Sequence, residues 1–383
     1  MFKEKVDLLH QGKNYDEKER KNEKINLFVL DLPDRLHQHR GIGARVCLDH
    51  RLHARDGEWM VKRSMRFDVR PFLRWTGGKQ RNIKKFARYL PEDLRKRIYI
   101  EPFVGSGAML IHVQPDHGLV SDINPHLINA YQVIKTDLHA FLFRLERFAE
   151  DDCEVFFNKV RDEFNQFKAT NKYDKTDDRY IEMDVDQAAR FVYLNDRCFN
   201  GLNRENSSGD FNVSFAKDLK GLKEIVNTKN FTGISALLRE KDISLLHSDY
   251  KSMTAFIDDK VSEFGKKCFF FIDPPYYPLK KNGFTGYNKN KWDASEFSLL
   301  QVFIRKINEN GHEFMLCNHD VPKIREMFKE YTIESHVVSR CVSCDARHRE
   351  PAKEVVIMNY NNSSLADYLT PGVSKGSNGV KQI

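Results

Sequence analysis

From Phe72 onward, short apolar runs recur along the chain, each followed by a loop and a helical stretch, and no other feature narrows the fold so far. Arg97–Phe103 (RIYIEPF) reads as a strand ending at a Gly-rich turn, Gly118–Ile123 (GLVSDI) as a second and Asp242–His247 (DISLLH) as a third. Lys267–Ile272 (KCFFFI), apolar after its first residue, is a fourth; His312–Cys317 (HEFMLC), Thr332–Val338 and Glu354–Tyr360 (EVVIMNY) follow. Successive side chains of a strand point to opposite faces, so a run that is apolar throughout must be covered on both. Such strands alternating with helices predict an α/β fold built on a parallel sheet with helices on either side.

The series is interrupted over residues 141–240. The first half of this stretch is helical in character. The second half is rich in Asn, Gly, Ser, Lys and aromatic residues and offers no strand to the main sheet. An inserted lobe is expected there. Residues 1–70 are charged, contain His37, His39, His50 and His53, and lack a sustained apolar period, which predicts a solvated extension. Met65 is a candidate alternative start. The chain after Leu369 is rich in Gly, Ser and Lys, and residues 363–383 are expected to form a flexible tail. The sheet domain then comprises residues 71–140 and 241–362.

Several function classes fall away on composition. No run of about 18 apolar residues is present, so no membrane span is expected. Met1-Phe2-Lys3-Glu4-Lys5 lacks the apolar core of a signal peptide, which points to the cytoplasm. Seven scattered cysteines do not suggest a disulfide framework. Cys341 and Cys344 with His348, or Cys47 with His50 and His53, lack the second ligand pair usual for structural zinc, and no metal is expected. The formal charge of +7 permits a polyanionic partner without requiring one.

Two motifs carry chemistry. Phe103-Val104-Gly105-Ser106-Gly107 closes the first strand, and its glycines allow a tight turn and a close ligand at the start of a helix. Leu110 stands where a dinucleotide fingerprint has its third glycine, which argues against a nicotinamide cofactor. Asp122 ends the second strand, where a carboxylate accepts from ribose hydroxyls. Asp273-Pro274-Pro275-Tyr276 follows the most apolar strand and so lies at the carboxyl edge of the sheet. Its prolines remove two amide donors and fix the backbone. A carboxylate and a carbonyl then form an acceptor pair for an exocyclic amine, with an aromatic face for a base beside them.

The chain resembles the Dam-type DNA adenine-N6 methyltransferases over roughly residues 71–362. The resemblance rests on Pro71–Lys79 (PFLRWTGGK), Glu101–Gly107 (EPFVGSG), Asp122-Ile123-Asn124, Asp273–Tyr276 and Asn318-His319-Asp320, in that order. It implies a Rossmann-like sheet that uses S-adenosyl-L-methionine, with an inserted, mainly helical DNA-recognition lobe carrying a hairpin. It further implies that Trp75 and Lys79 lie against the cofactor, Lys79 facing the methionine carboxylate. Phe103, Gly105 and Gly107 would pass close to it, Asp122 would hold the ribose, and Asp249 would accept from the cofactor's adenine amine; Asp273 would border both cofactor and target.

Phe199–Arg204 (FNGLNR) and Gly209–Phe215 (GDFNVSF) read on their own as a hairpin with alternating aromatics and an exposed cation, a ribbon that fits the major groove. By resemblance, Arg74, Phe199, Asn200, Leu202, Arg204, Ser214 and Lys217 align with target-contacting positions. Relatives acting on GATC usually have Pro at the place of Ser214 and Tyr at that of Phe199, so the site read by this chain stays open. The expected partner is double-stranded DNA, met by a monomer. Three rival readings stay open from sequence: action on RNA adenine, action on cytosine N4 (where Ser is usual in place of Asp273), and a DNA-binding protein on a decayed fold.

Overall fold

A computed structural model describes residues 66–169, 183–217, 225–253, 257–258, 261–262, 264–278, 292–338 and 352–361. The extension before Arg66, its Cys47, His50 and His53, the cluster of Cys341, Cys344 and His348, and the tail lie outside the described residues.

The strands are β1 (Ile98–Glu101), β2 (His117–Asp122), β3 (Asp242–His247), β4 (Cys268–Ile272), β5 (Glu313–His319), β6 (Thr332–Val338) and β7 (Ala352–Met358). They form one sheet in the order β3-β2-β1-β4-β5-β7-β6. The first five are parallel, as the apolar runs predict. The expectation of a wholly parallel sheet fails at one edge, because β7 runs antiparallel to both β5 and β6. The reason is connection length: between Val338 and Ala352 the sequence has no apolar helical stretch that could serve as a crossover, and parallel neighbours need one.

Each central strand feeds two cores. Tyr99, Phe269 and Phe271 face one side with Met315 and Val356, whereas Ile98, Ile100, Cys268, Phe270 and Ile272 face the other with Phe314 and Leu316. The second core is closed by α8 (Ala294–Glu309) through Phe297, Leu300, Phe303 and Ile304. The first is closed by α3 (Pro125–Thr136), α4 (Leu138–Glu150), α5 (Glu154–Ala169), α6 (Val185–Arg197) and α7 (Thr228–Glu240). Three shorter helices, α1 (Ile83–Ala87), α2 (Ala108–Val113) and α9 (Pro322–Met327), complete the set used below.

The helix starts are written in the sequence. Asn124 accepts from the amides of His126 and Leu127 (3.0 and 3.1 Å), with Pro125 as the first residue of α3. Asp184 accepts from Gln187 at the start of α6 (2.8 Å). α6 packs against α3, α4 and α5, and α7 leads into β3 while lying on α3.

Extended segments are tied to this body by side-chain amides that take both main-chain groups of one residue. Gln114 bonds the N–H and C=O of Phe67 (2.9 and 2.8 Å), and Asn230 those of Arg70 (2.8 and 2.9 Å). Asn129 does the same for Asp184, and Asn165 for Phe211. Phe72 then inserts between Tyr131 and Phe231 (ring centroids at 4.9 and 6.0 Å).

Phe231, 3% exposed, also meets Phe141 edge-on at 5.1 Å and so joins α7, α4 and the entering chain. Phe231→Ala is expected to cost about 3–5 kcal/mol of unfolding free energy, measured by urea denaturation. A loss under about 1 kcal/mol would mean that the surrounding rings collapse into the space.

Candidate active site

The order of strands reverses between β1 and β4, and open α/β sheets bind ligands outside the carboxyl ends at such a point. Both motifs lie there. After β1 the chain turns through Gly105 and Gly107, at φ +48° and +65°, into α2. A β-carbon on Gly105 would stand 2.8 Å from Cδ1 of Trp75, and one on Gly107 would stand 2.5 Å from the Tyr131 hydroxyl. Trp75 therefore lies directly on the loop.

The Gly105 amide donates to Asp122 (3.0 Å), whose other oxygen accepts from Asn124 (3.0 Å). Burial pushes the Asp122 carboxyl up to about 6, against the pull of the amides of Asn124, Gly105 and Ile123. Below the loop sits Glu101, 2% exposed, accepting from the Tyr99 hydroxyl at 2.8 Å. Burial drives its carboxyl well above the usual range, and the charges of Asp273 and Asp122 add to that.

Beyond β3, Asp249 accepts from the Lys251 amide (2.9 Å) and opens a short 3-10 turn at Tyr250–Ser252. Beside it the rings of Phe103, Tyr250 and Trp292 cluster, with centroids 5.2 to 5.7 Å apart. Tyr250 and Trp292 were not among the residues expected from sequence, since neither stands in a recognised motif.

Asp273 leaves β4 and is bonded through both carboxylate oxygens by Lys79 Nζ (2.6 and 2.7 Å), which also donates to the Gly77 carbonyl (3.2 Å). Lys79 is 7% exposed and lies 4.7 Å from the Tyr276 ring centroid and 5.4 Å from that of Phe86. Burial is the largest influence on its ammonium and lowers its pKa, but Asp273, Cys317 and Glu354 together outweigh it and hold it above the ordinary value. Lys79 thus stays charged. The resemblance directs Lys79 at a cofactor carboxylate; here its three N–H groups are taken by Asp273 and Gly77, because a buried ammonium needs its nearest anion.

Pro274 is buried and Pro275 half-buried. The Tyr276 hydroxyl donates to Glu354 (3.0 Å), and its ring meets His319 edge-on at 4.8 Å. Asn318 accepts from the amides of Tyr277 and His319 (2.9 Å each), fixing the turn after the prolines. Asp320, grouped with them in the sequence, pairs with Arg325 and Ser335 instead.

Arg74, ahead of the first strand, is held by Asn195 of the inserted segment, which bonds its N–H and C=O (2.9 Å each), and its guanidinium reaches Asp196. It packs on Gly201, which follows Asn200; both have left-handed backbones (φ +62° and +57°). Phe199 is 54% exposed and its amide donates to the Ser214 carbonyl (2.9 Å); Leu202 is half-buried, and Ser214 and Lys217 are exposed. Arg204 is exposed and held by Asn212 (2.8 Å).

The expected ribbon is not a continuous ladder. The chain folds back through two isolated antiparallel bridges, Cys198 to Phe215 and Glu205 to Phe211. Its apolar residues explain this: Phe211 and Val213 are buried in the lobe rather than displayed. Among the described residues no group of His, Cys, Asp and Glu could hold a metal, and no helix is long and apolar enough to cross a membrane.

A glycine loop after β1, a carboxylate after β2 and Asp-Pro-Pro-Tyr after β4, on a sheet of this order, define an S-adenosyl-L-methionine-dependent methyltransferase. The family model described as D12 class N6 adenine-specific DNA methyltransferase matches residues 75–341. The type II methyltransferase M.MjaIII of Methanocaldococcus jannaschii is 32% identical over 310 residues, covering 76% of this chain and 100% of that protein. The DNA N-6-adenine-methyltransferase of Escherichia phage P1 is 30% identical over 303 residues, 78% of this chain and 36% of that protein. The DNA adenine methylase of Haemophilus influenzae is 27% identical over 290 residues, 75% and 92%. The chain belongs to the D12 class N6 adenine-specific DNA methyltransferases. It methylates adenine N6 in DNA with S-adenosyl-L-methionine as methyl donor.

The donor set fits that cofactor: a carboxylate held by amides at the end of β2, a loop that a single β-carbon would fill, and a cluster of three rings beside Asp249. Gly105→Ala is expected to displace the Trp75 indole, shifting its fluorescence, and to destabilise the fold by about 1–3 kcal/mol through the left-handed backbone. An unchanged emission spectrum would place Trp75 off the loop.

Proposed function

We propose that this enzyme acts on a short double-stranded DNA sequence by turning the target adenine out of the helix. The amine of a paired adenine is buried, and extrusion costs a few kcal/mol of stacking and pairing. A stack on Tyr276 recovers roughly 1–3 kcal/mol of that. Asp273 and the Pro274 carbonyl accept the two amine hydrogens, which draws the nitrogen lone pair out of ring conjugation. S-adenosyl-L-methionine supplies the methyl group in electrophilic form. The chain contributes position: Lys79 bonds both oxygens of Asp273 and so aims the carboxylate. Transfer would break the S–CH3 bond, leaving its electron pair on sulfur, and the proton lost from N6 would pass to its acceptor Asp273 and on to solvent.

For the cofactor, Asp122 takes the ribose hydroxyls, Asp249 the adenine amine, and Phe103 and Trp75 the flanking surfaces, with Gly105 and Gly107 against the methionine end. Residues 71–140 and 241–362 make the catalytic domain and residues 141–240 the target-recognition insertion. Arg74, Phe199, Asn200, Leu202, Arg204, Ser214 and Lys217 face DNA. The enzyme works as a monomer in the compartment that holds the DNA. The observation that carries this reading is Asp273 at the switch point, ion-paired to buried Lys79 with Tyr276 beside it.

Asp273→Ala is expected to reduce transfer of labelled methyl to DNA below a tenth of wild type while cofactor affinity changes little. It also leaves Lys79 buried without its anion, at a cost of about 3–5 kcal/mol in stability; Asp273→Asn, which keeps the side-chain volume and one acceptor oxygen for Lys79, with unfolding measured beside activity, separates folding from chemistry. Full methylation of adenines by either variant, mapped by sequencing modified bases, would overturn the assignment.

Arg204→Ala is expected to relax sequence preference at one base pair by about five- to a hundred-fold, the equivalent of a lost bidentate contact worth about 1–3 kcal/mol. Oligonucleotides varied one base pair at a time would show it. A uniform loss over all variants, with a shallower salt dependence, would make Arg204 a phosphate contact.

A further inference from the structure

We propose that Glu354, on the antiparallel strand β7, is a positioning residue for methyl transfer, which it serves by holding the ring of Tyr276. The proposal rests on the reading of Tyr276 as the surface on which the target base stacks.

The observations converge on that ring from four sides. The Tyr276 hydroxyl donates to Glu354 Oε2 at 3.0 Å. His319, the cross-strand partner of Glu354 in the β5–β7 register, meets the same ring edge-on at 4.8 Å. Lys79 Nζ stands 4.7 Å from the ring centroid. The backbone that carries the ring leaves Pro275 and runs on to Tyr277, whose amide is bonded by Asn318.

Proline fixes the main chain of this turn, but it leaves the tyrosine side chain free to rotate about its own bonds. A bond from the far end of the ring to a carboxylate removes that freedom, and a hydrogen bond to a charged group is stronger than one between neutral groups. Burial first, then the charges of Asp273 and Glu354, keep the phenol protonated, so it remains the donor. β7 is the one strand inserted against the direction of the rest, and its reversed direction brings Glu354 opposite His319 at the carboxyl end of β5.

Glu354 has a second influence in the same place, since its charge also supports the ammonium of Lys79. The two roles separate on the hydroxyl. If Glu354 acts through the ring, deleting the hydroxyl and deleting the carboxylate must have the same effect, and the two deletions together must do no more than either alone.

The test uses the full chain and two duplexes containing the sequence found by mapping its methylated adenines, one with adenine at the target position for kcat and one with 2-aminopurine there for fluorescence. Glu354→Ala and Tyr276→Phe are each expected to lower kcat by roughly tenfold, the scale of one charge-assisted bond, and to change the bound 2-aminopurine fluorescence alike. The double variant should match the single ones, Glu354→Gln should keep most activity, and cofactor affinity should stay within about twofold of wild type. If Glu354→Ala does not fold, Tyr276→Phe against wild type and Glu354→Gln carry the comparison. Additive losses, or a Glu354→Ala loss seen in cofactor affinity and not in fluorescence, would overturn the proposal while leaving the stacking role of Tyr276 intact. If Tyr276→Ala itself leaves both kcat and fluorescence unchanged, the stacking role falls and the proposal falls with it.

Discussion

The geometry of the site hangs on one buried ion pair. Lys79 and Asp273 lie 194 residues apart in sequence, yet both carboxylate oxygens are within 2.7 Å of the ammonium. Removing two charges from water is costly, and the pair persists because each charge is the other's nearest partner and Gly77 takes the remaining donor. The turn that carries Trp75, Gly77 and Gly78 is thereby pinned to the end of the central strand β4. Trp75 then covers the loop after β1, where Gly105 is required by the indole and Gly107 by the Tyr131 ring. The same ammonium lies against the Tyr276 ring, so a single charge sets the spacing between the turn that carries Trp75 and the Tyr276 ring.

This arrangement also explains the number of unusual acids nearby. Glu101, Asp122 and Asp273 all sit under or beside the same loop, and only Asp273 has a full cation. Asp122 is held by amides, and Glu101 by the Tyr99 hydroxyl. With one cation among three carboxyls, burial favours protonation of the two that lack it, as their raised pKa values express.

Much of the fold was legible in the sequence because parallel strands buried on both faces leave continuous apolar runs; β3 and β6 were bounded to the residue and the other strands within two residues. The direction of β7 was not legible, since an apolar run carries no sign of its polarity and only the connection before it does. The motif residues of the site could be read because glycine, proline and carboxylate at strand ends have few other uses. Tyr250, Trp292 and Glu354 could not, for they reach the site from separate elements and look locally like core aromatics and a strand-edge acid. Glu101 did leave a signal, as the one acidic residue in an otherwise apolar strand end. The lobe misled because its aromatics alternate as in a ribbon, while Phe211 and Val213 turn inward to Asn165 and the helices.

The amide pairs that tie extended chain to the body touch only backbone. Asn195 grips the N–H and C=O of Arg74, as Gln114 grips Phe67 and Asn230 grips Arg70, and none of these bonds involves the clamped residue's side chain. A clamp of that kind is blind to what it holds. The two bonds that hold the main chain of Arg74, just before Trp75, are separate from those its guanidinium makes to Asp196. The joint before Trp75 is fastened through atoms that every amino acid except proline provides.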